Sequence, residues 1–207
     1  MTPEAVVFDI GNVLIEWNPE RFYDARLGPE TRRRMWAETG IEAMNLSVDA
    51  GAPFRPTVEA HAARHPAWSE QILWWYDHWI EMASPRIEGS IALLRALRAK
   101  GIPVFALTNF GDDSFTYAQT QYDFLAEFDR AYVSARMGVI KPDPEIYLRL
   151  QADCGIAPQR LIFADDKIEN IDAARALGWK AHHFTDWQGW AGRLVAEGLL
   201  SANEAGL

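Results

Sequence analysis

The chain has 207 residues, of which 49% are hydrophobic and 24% are charged, and its formal net charge at pH 7 is -9. This length and composition predict one substantial hydrophobic core with room for a smaller appended unit, and they exclude a disordered chain. The excess of acidic residues argues against nucleic acid as a partner, because phosphate backbones are held by clustered lysines and arginines.

Three local features narrow the protein class further. The one compact basic run, Arg32 to Arg34, is flanked by glutamates, which favours a solvated helix face over a phosphate-binding patch. Cys154 is the only cysteine, so a disulfide within the chain is impossible and a reducing, cytoplasmic location is expected. The first apolar run is interrupted by Asp9 and follows no basic segment, which predicts neither a signal peptide nor a membrane span.

Short apolar runs alternate with longer segments of helical periodicity along most of the chain. This alternation predicts an α/β fold in which helices flank a parallel sheet. The predicted strands, in chain order, are Ala5 to Ile10, Pro103 to Thr108, Ala131 to Ser134, Leu161 to Ala164 and Lys180 to Phe184. Helical patterns that end at glycines cover Ser90 to Lys100 and Ile168 to Leu177.

The alternation stops over residues 18–85, where no strand is predicted and aromatic residues crowd the helical stretches. This change predicts an inserted helical domain over residues 18–85, with residues 1–17 and 86–207 forming the core that contains the sheet. Trp75 and Trp79 are expected on one helix face. Packing within the insert is the favoured role of these aromatic residues, and contact with an aromatic substrate is the alternative.

Polar residues stand at the end of a predicted strand, or in the loop after one, at four places. They are Asp9 with Gly11, Thr108 with Asn109, Lys141 between glycine and prolines, and Asp165 with Asp166. The carboxyl ends of parallel strands meet at one sheet edge, where ligands bind. Adjacent carboxylates repel unless a cation lies beside them, and Mg²⁺ prefers oxygen ligands. The set suits phosphoryl transfer, in which the charge on the transferred group must be neutralised.

These four elements, in this order, resemble the motifs of the haloacid dehalogenase superfamily. The segment Phe8 to Leu14 is similar to its first motif, Thr108-Asn109 to its second, Lys141-Pro142 to its third and Asp165-Asp166 to its fourth. The resemblance covers nearly the whole chain. It implies a Rossmann-like core with an inserted α-helical cap and a phosphatase that hydrolyses a small phosphomonoester. It also implies Mg²⁺ as cofactor and a small phosphorylated metabolite as partner, with no membrane or nucleic acid and no prediction of oligomeric state.

The resemblance also implies roles around the phosphate. Asp9 would be the nucleophile that forms an aspartyl-phosphate intermediate. Lys141 would neutralise both the nucleophile and the phosphate. Thr108 through its hydroxyl and Asn109 through its backbone amide would bind the phosphate oxygens.

The resemblance to the superfamily also implies a metal site. Asp166 is the expected direct ligand, Asp165 a second or water-mediated one, and Asp9 completes the carboxylates. The backbone carbonyl of Gly11 would supply a further ligand. Asn170 is expected to hold the carboxylates in place from the following helix turn.

Gly11 departs from the superfamily pattern, because most of its phosphatases carry an aspartate there as general acid and base. Such a group contributes about 10²–10⁴-fold to the rate. A substrate with an acidic leaving oxygen, such as an anomeric sugar phosphate or an acyl phosphate, would need it less. Alternatively, another residue, such as Glu16 or Asp49, would supply the acid and base function that Gly11 lacks.

The first motif, the Asp165-Asp166 pair and the helical insert together resemble the bacterial sugar-phosphatase branch typified by alpha-D-glucose-1-phosphate phosphatase, so a sugar phosphate is the expected substrate. Two rival interpretations stay open. One is a metal-independent 2-haloacid dehalogenase, although such enzymes carry a loop more like Ser-Ser-Asn where this chain has Asp165-Asp166. The other is a catalytically weakened member of the fold that binds sugar phosphates or a protein partner, which Gly11 and the tryptophan-rich insert would favour.

Overall fold

The computed structural model describes residues 2–207. Within them lie seven strands: β1 Ala5–Phe8, β2 Ile15–Trp17, β3 Ala83–Arg86, β4 Val104–Thr108, β5 Arg130–Val133, β6 Leu161–Asp165 and β7 Lys180–His183. The first six helices are α1 Pro19–Leu27, α2 Pro29–Thr39, α3 Ile41–Asp49, α4 Phe54–Arg64, α5 Ser69–Asp77 and α6 Trp79–Met82. The next six are α7 Glu88–Ala99, α8 Asp112–Gln121, α9 Ser134–Met137, α10 Pro144–Cys154, α11 Ile168–Ala176 and α12 Trp187–Ala196. None of these helices is both long and apolar enough to cross a membrane.

Five strands form one sheet in the order β5-β4-β1-β6-β7, and every neighbouring pair is parallel. β1 lies at the centre, with Val7 opposite Phe105 of β4 on one side and Phe163 of β6 on the other. The chain fills the β4 side first and the β6 side afterwards, so the strand order reverses at β1. A crevice forms at the carboxyl ends of the strands beside such a reversal, which is where open α/β sheets bind ligands.

Side chains of β1 alternate between two buried clusters, one on each face of the sheet. Val6 and Phe8 belong to one cluster, and Ala5 and Val7 belong to the other. All four side chains are fully buried. Burial on both faces explains why the strands are nearly continuous apolar runs, since helices cover both sides of a parallel sheet.

The predicted α/β, Rossmann-like fold is confirmed, and each predicted strand is present with its ends shifted by at most two residues. β1 ends at Phe8 because the chain turns at Asp9, whose Oδ1 accepts a hydrogen bond from the backbone amide of Ile10 at 2.7 Å. β4 begins after Pro103, which has no amide proton for the ladder.

Helices α1 to α6 lie between β2 and β3, which pair with each other antiparallel. The prediction that residues 18–85 contain no strand is therefore wrong at the end of that range, where Ala83 begins β3. Both strands are very short and pair across more than sixty residues of sequence, so neither has a local pattern. Trp75 and Trp79 also lie on separate helices, because α5 ends before His78 and α6 begins after it.

Candidate active site

The predicted site residues surround one cavity of about 550 Å³ at the carboxyl edge of the sheet. Those that line it are Asp9, Gly11, Thr108, Asn109, Lys141, Asp166 and Asn170. Asp165, the last residue of β6, is fully buried and joins them through Lys141. The structure thus brings together all the residues singled out from the sequence, while their roles stay predictions.

Lys141 lies at the centre of a buried charge cluster. Its Nζ is 2.9 Å from Oδ1 of Asp9 and 2.7 Å from Oδ2 of Asp165, and it donates a third hydrogen bond to the carbonyl of Leu107 at 2.8 Å. An ammonium group has three protons, so these contacts use its full capacity. The lysine is therefore held in one position between two carboxylates.

Asn109 fixes the backbone from which that lysine extends. Its side-chain Oδ1 accepts a hydrogen bond from the amide of Lys141 at 2.7 Å, and its Nδ2 donates to the carbonyl of Lys141 at 2.9 Å. From the sequence, only the backbone amide of Asn109 was expected to take part in the site. Its side chain joins the end of β4 to the Lys141 loop, and no local pattern indicates a contact between residues 32 positions apart.

Asp165 is surrounded by donors on both oxygens. Asn170 Nδ2 lies 2.9 Å from Oδ1 and 3.0 Å from Oδ2, and the amide of Lys167 donates to Oδ1 at 2.8 Å. With Lys141 as the fourth contact, this carboxylate is suited to positioning the lysine. Its predicted contribution to metal binding stays a prediction. Asn170 contacts a predicted carboxylate from the following helix, and the one it reaches is Asp165.

Asp166 points into the cavity and is held by Asn12, which the sequence analysis did not single out. Nδ2 of Asn12 donates to Oδ2 of Asp166 at 2.9 Å, and its Oδ1 accepts from the amide of Trp17 at 2.9 Å. Asn12 has a φ of 56°, in the left-handed region that asparagine tolerates better than most residues. The Gly-Asn pair after β1 was the available signal.

Burial dominates the electrostatics of this cluster. It raises the pKa of Asp9 to about 7; Lys141 lowers that pKa, while Asp165 and Asp166 raise it. Burial lowers the pKa of Lys141, but Asp165 and Asp9 outweigh that effect and raise it above the usual value, so the lysine is cationic. The pKa of Asp166 is also raised, mainly by burial. One lysine thus faces three carboxylates that are costly to ionise together.

This donor set fits a hard divalent cation. Carboxylate oxygens of Asp9, Asp165 and Asp166 lie within 4.8 Å of one another, and Lys141 forms salt bridges with only the first two of these carboxylates. Hard cations such as Mg²⁺ take oxygen ligands, often one or two carboxylates together with substrate phosphate and water.

Gly11 also lies on the cavity floor, where it forms a bridge with Ile15. A Cβ added there would meet nothing nearer than Cβ of Trp17, at 3.8 Å. The position therefore has room for a side chain. Steric crowding is therefore not the reason why position 11 carries no acidic side chain.

The two replacement groups considered from the sequence differ in setting. Both line the cavity, but Glu16 is partly exposed and pairs with Arg21 at 2.6 Å. Asp49, at the end of α3, accepts a hydrogen bond from Asn45 at 3.0 Å. Burial raises the pKa of Asp49 to about 7, although Lys167, the amide of Gly111 and Lys141 each lower it.

A comparison with protein-family models agrees with this geometry. The model described as haloacid dehalogenase-like hydrolase matches residues 3–178. The chain belongs to this family. The superfamily resemblance found in the four motifs is therefore confirmed, and the protein is a haloacid dehalogenase-like hydrolase.

Relatives of this hydrolase include two phosphatases that align along most of its length. A sesquiterpene phosphatase of Aspergillus oryzae is 27% identical, covering 89% of this chain and 91% of the relative. A D-ribitol-5-phosphate phosphatase of Bacteroides thetaiotaomicron is 25% identical, covering 88% and 94%. The narrower resemblance to alpha-D-glucose-1-phosphate phosphatase stays a prediction.

A solved structure shares the fold of this hydrolase. It is a mutant of a haloacid dehalogenase family enzyme from Bacteroides thetaiotaomicron, in complex with magnesium and inorganic phosphate. The TM-score is 0.66 at 21% identity, covering 89% of this chain and 95% of the other. At this identity the likeness shows the fold alone.

Proposed function

We propose that this hydrolase is a Mg²⁺-dependent phosphatase that cleaves a small phosphomonoester through an aspartyl-phosphate on Asp9. The observation that carries the proposal is the buried Asp9, Lys141 and Asp165 cluster beside Asp166, at the floor of one cavity. Two phosphatases among the relatives support it, as does a fold neighbour solved with magnesium and inorganic phosphate.

Asp9 is positioned to attack with one particular oxygen. Its Oδ1 receives both the amide of Ile10 and the ammonium of Lys141, whereas Oδ2 takes part in neither contact. In the first step Oδ2 forms a bond to phosphorus while the ester bond breaks and the leaving oxygen takes a proton. In the second step water attacks the phosphorus of the acyl phosphate, loses a proton, and regenerates the Asp9 carboxylate with release of phosphate.

The phosphate would be held by groups from the end of β4 and from the loop between α9 and α10. Lys141 contributes positive charge, Thr108 a hydroxyl at the end of β4, and Asn109 its backbone amide. Because Asp165 and Asn109 fix Lys141 before substrate arrives, the charge needs no reorganisation during the reaction.

Asp9, Asp166 and the carbonyl of Gly11 are the groups that would hold Mg²⁺, with Asp165 behind them. When bound, the ion would offset the charge of the phosphate and of the clustered carboxylates. Asn12 and Asn170 position the carboxylates of Asp166 and Asp165, respectively.

Asp49 supplies the proton transfers that Gly11 cannot. It lies on the cavity wall, and a pKa of about 7 is close to the value at which a group both gives and takes protons at neutral pH. Glu16 is less suitable because Arg21 already holds it at the partly exposed rim.

The helical segment 18–85 serves as the cap in this proposal, because residues from α3, α5 and α6 form the wall above the catalytic floor. The sugar phosphate expected from the sequence has support in the relative that acts on D-ribitol 5-phosphate. The relative named as a sesquiterpene phosphatase supports a different class of substrate, in which the phosphate is attached to a sesquiterpene.

The test is phosphate release from acetyl phosphate and alkyl phosphates, with Mg²⁺ and with EDTA. The wild type should require Mg²⁺, and Asp9→Asn should lose activity by at least about 10³-fold because it lacks the nucleophile. Asp172→Asn, at an exposed position of α11, is the matched control and should behave as the wild type. Full activity in Asp9→Asn would refute the nucleophile, and EDTA-resistant halide release from 2-haloacids would favour the dehalogenase.

A further inference from the structure

The cavity wall that faces the substrate body is built around four aromatic side chains, here called the aromatic wall: Trp17, Trp75, Trp79 and Phe110. Trp17 lies 5.8 Å from Trp75 and 5.9 Å from Trp79, measured between ring centroids, and Trp79 lies 5.4 Å from Phe110. These distances are typical of packed aromatic pairs. All four rings border the cavity, where Trp17 is the most exposed and the other three are largely buried.

The aromatic wall begins next to the phosphate site. Phe110 directly follows Asn109, and Trp17 follows the first motif on β2. Trp75 and Trp79 come from α5 and α6, and their rings pack against Trp17. A phosphate on the cavity floor would therefore place the rest of its molecule against indole and phenyl rings.

Neutral polar side chains on the same wall already have partners within the protein. Asn45 accepts a hydrogen bond from Nε1 of Trp75 at 3.0 Å and donates to Asp49 at 3.0 Å. The hydroxyl of Ser114 donates to the carbonyl of Gly111 at 3.1 Å. Several sugar hydroxyls would compete with these bonds, and an unpaired buried hydroxyl costs about 1–3 kcal/mol.

The charged residues that line the cavity outside the catalytic cluster are three carboxylates and one lysine, Lys167. Glu42 and Asp49 line the cavity, and Glu16 lies at its rim. Carboxylates here repel a second phosphate or a carboxylate on the substrate body. The charge therefore favours one phosphate attached to an uncharged remainder.

We infer that the substrate is the monophosphate of an uncharged hydrophobic alcohol, aromatic or isoprenoid, and not of a sugar. This inference rests on the proposed phosphatase function, which supplies the phosphate chemistry. A cavity of about 550 Å³ is within the usual range for pockets that enclose drug-sized ligands. The hydrocarbon lies along the aromatic wall, with the ester oxygen directed to the catalytic floor.

The first experiment compares kcat/KM for benzyl and geranyl phosphates with that for glucose 6-phosphate and D-ribitol 5-phosphate, all esters of primary alcohols. Acetyl phosphate carries only a small organic group beyond its phosphate, so its turnover measures phosphoryl transfer with little contribution from the aromatic wall. The hydrocarbon esters should exceed the sugar esters by at least about tenfold. Equal or faster turnover of the sugar esters would overturn the inference and leave the phosphatase intact. No turnover of acetyl phosphate or of any of the esters would refute the phosphatase and the inference with it.

The second experiment tests the apolar lining of the cavity beside the aromatic wall, with two exposed leucines. Leu46 lines the cavity from α3, and Leu148 lies on α10 outside it. Leu46→Gln should lower kcat/KM for geranyl phosphate about tenfold more than for acetyl phosphate, because it removes apolar contact with the body. Leu148→Gln should match the wild type on both substrates. Equal losses on both substrates in Leu46→Gln would count against a hydrocarbon-binding wall.

Discussion

Gly11→Asp combined with Asp49→Asn tests whether the acid and base function has moved from the first motif to α3. An aspartate at position 11 is sterically allowed, because the nearest contact to its Cβ is 3.8 Å and the backbone is not left-handed. A general acid contributes about 10²–10⁴-fold, which corresponds to about 3–5 kcal/mol at 1.36 kcal/mol per factor of ten. Asp49→Asn should lose that amount on benzyl phosphate, whose leaving alkoxide needs a proton.

The double variant gives the sharper readout. Gly11→Asp should change the wild type by less than about tenfold but restore benzyl phosphate cleavage in Asp49→Asn by about 10²-fold or more, since one acid suffices. The assay is rapid-quench measurement of alcohol release in the first turnover, which isolates the first step from hydrolysis of the acyl phosphate. Acetate release from acetyl phosphate is the reference, because its leaving group needs little protonation.

Additivity would refute this reasoning. If Gly11→Asp produces the same gain with and without Asp49, the two groups do not perform the same task, and the coupling energy of the cycle is zero. Equal losses of Asp49→Asn on benzyl and acetyl phosphates would assign Asp49 a structural role. Thermal unfolding of each variant separates these outcomes from loss of fold.

Three further predictions concern single variants. The folded-state pKa of Asp49 is raised to about 7, so the free energy of unfolding should fall as the pH rises from about 4 to 7. At pH 8, Asp49→Asn should therefore be more stable than the wild type by at most about 4 kcal/mol and should unfold at a higher temperature. Equal stability of the two proteins would contradict the raised pKa. Lys141→Met should abolish turnover and, by leaving two buried carboxylates without their cation, cost about 3–5 kcal/mol in urea unfolding at pH 8, with a smaller cost at pH 5. Asn12→Ala should weaken Mg²⁺ binding about 10–100-fold by calorimetry, because Asp166 loses its side-chain donor, whereas Asn203→Ala in an exposed turn should bind as the wild type.

The strand-end residues could be predicted because their placement follows from local sequence and one topological rule. Asp9 and Asp166 each follow an apolar run, and parallel strands bring such ends together. The distinct settings of Asp165 and Asp166 could not be predicted in this way. Two adjacent carboxylates look alike in sequence, but the first ends β6 and is fully buried against Lys141, whereas the second faces the cavity.

The contacts that position the site depend on tertiary structure and leave little local trace. Asn12 reaches Asp166 across 154 residues of sequence, and Asn109 reaches Lys141 across 32. Trp75 was predicted to pack within the insert, and it does pack there against Tyr23 and Trp36. Trp79 packs instead against Trp17 and Phe110, which lie outside the insert. Trp75 and Trp79 also both border the cavity. This placement depends on how the helices of the insert pack against the sheet, and helical periodicity does not predict it.

Binding of Mg²⁺ should be measurable as a gain in stability, without any turnover. The clustered carboxylates repel one another in the folded protein, and a bound cation would relieve that repulsion. A cation that binds only the folded state stabilises it by about 2.7 kcal/mol at a hundredfold excess over Kd. Asp166→Asn should remove this stabilisation, since it takes away the carboxylate that faces the cavity, while Asp49→Asn should keep it. Stabilisation that survives Asp166→Asn would place the ion elsewhere. Absence of any stabilisation of the wild type at saturating Mg²⁺ would favour the metal-independent dehalogenase reaction, independently of the phosphatase assays.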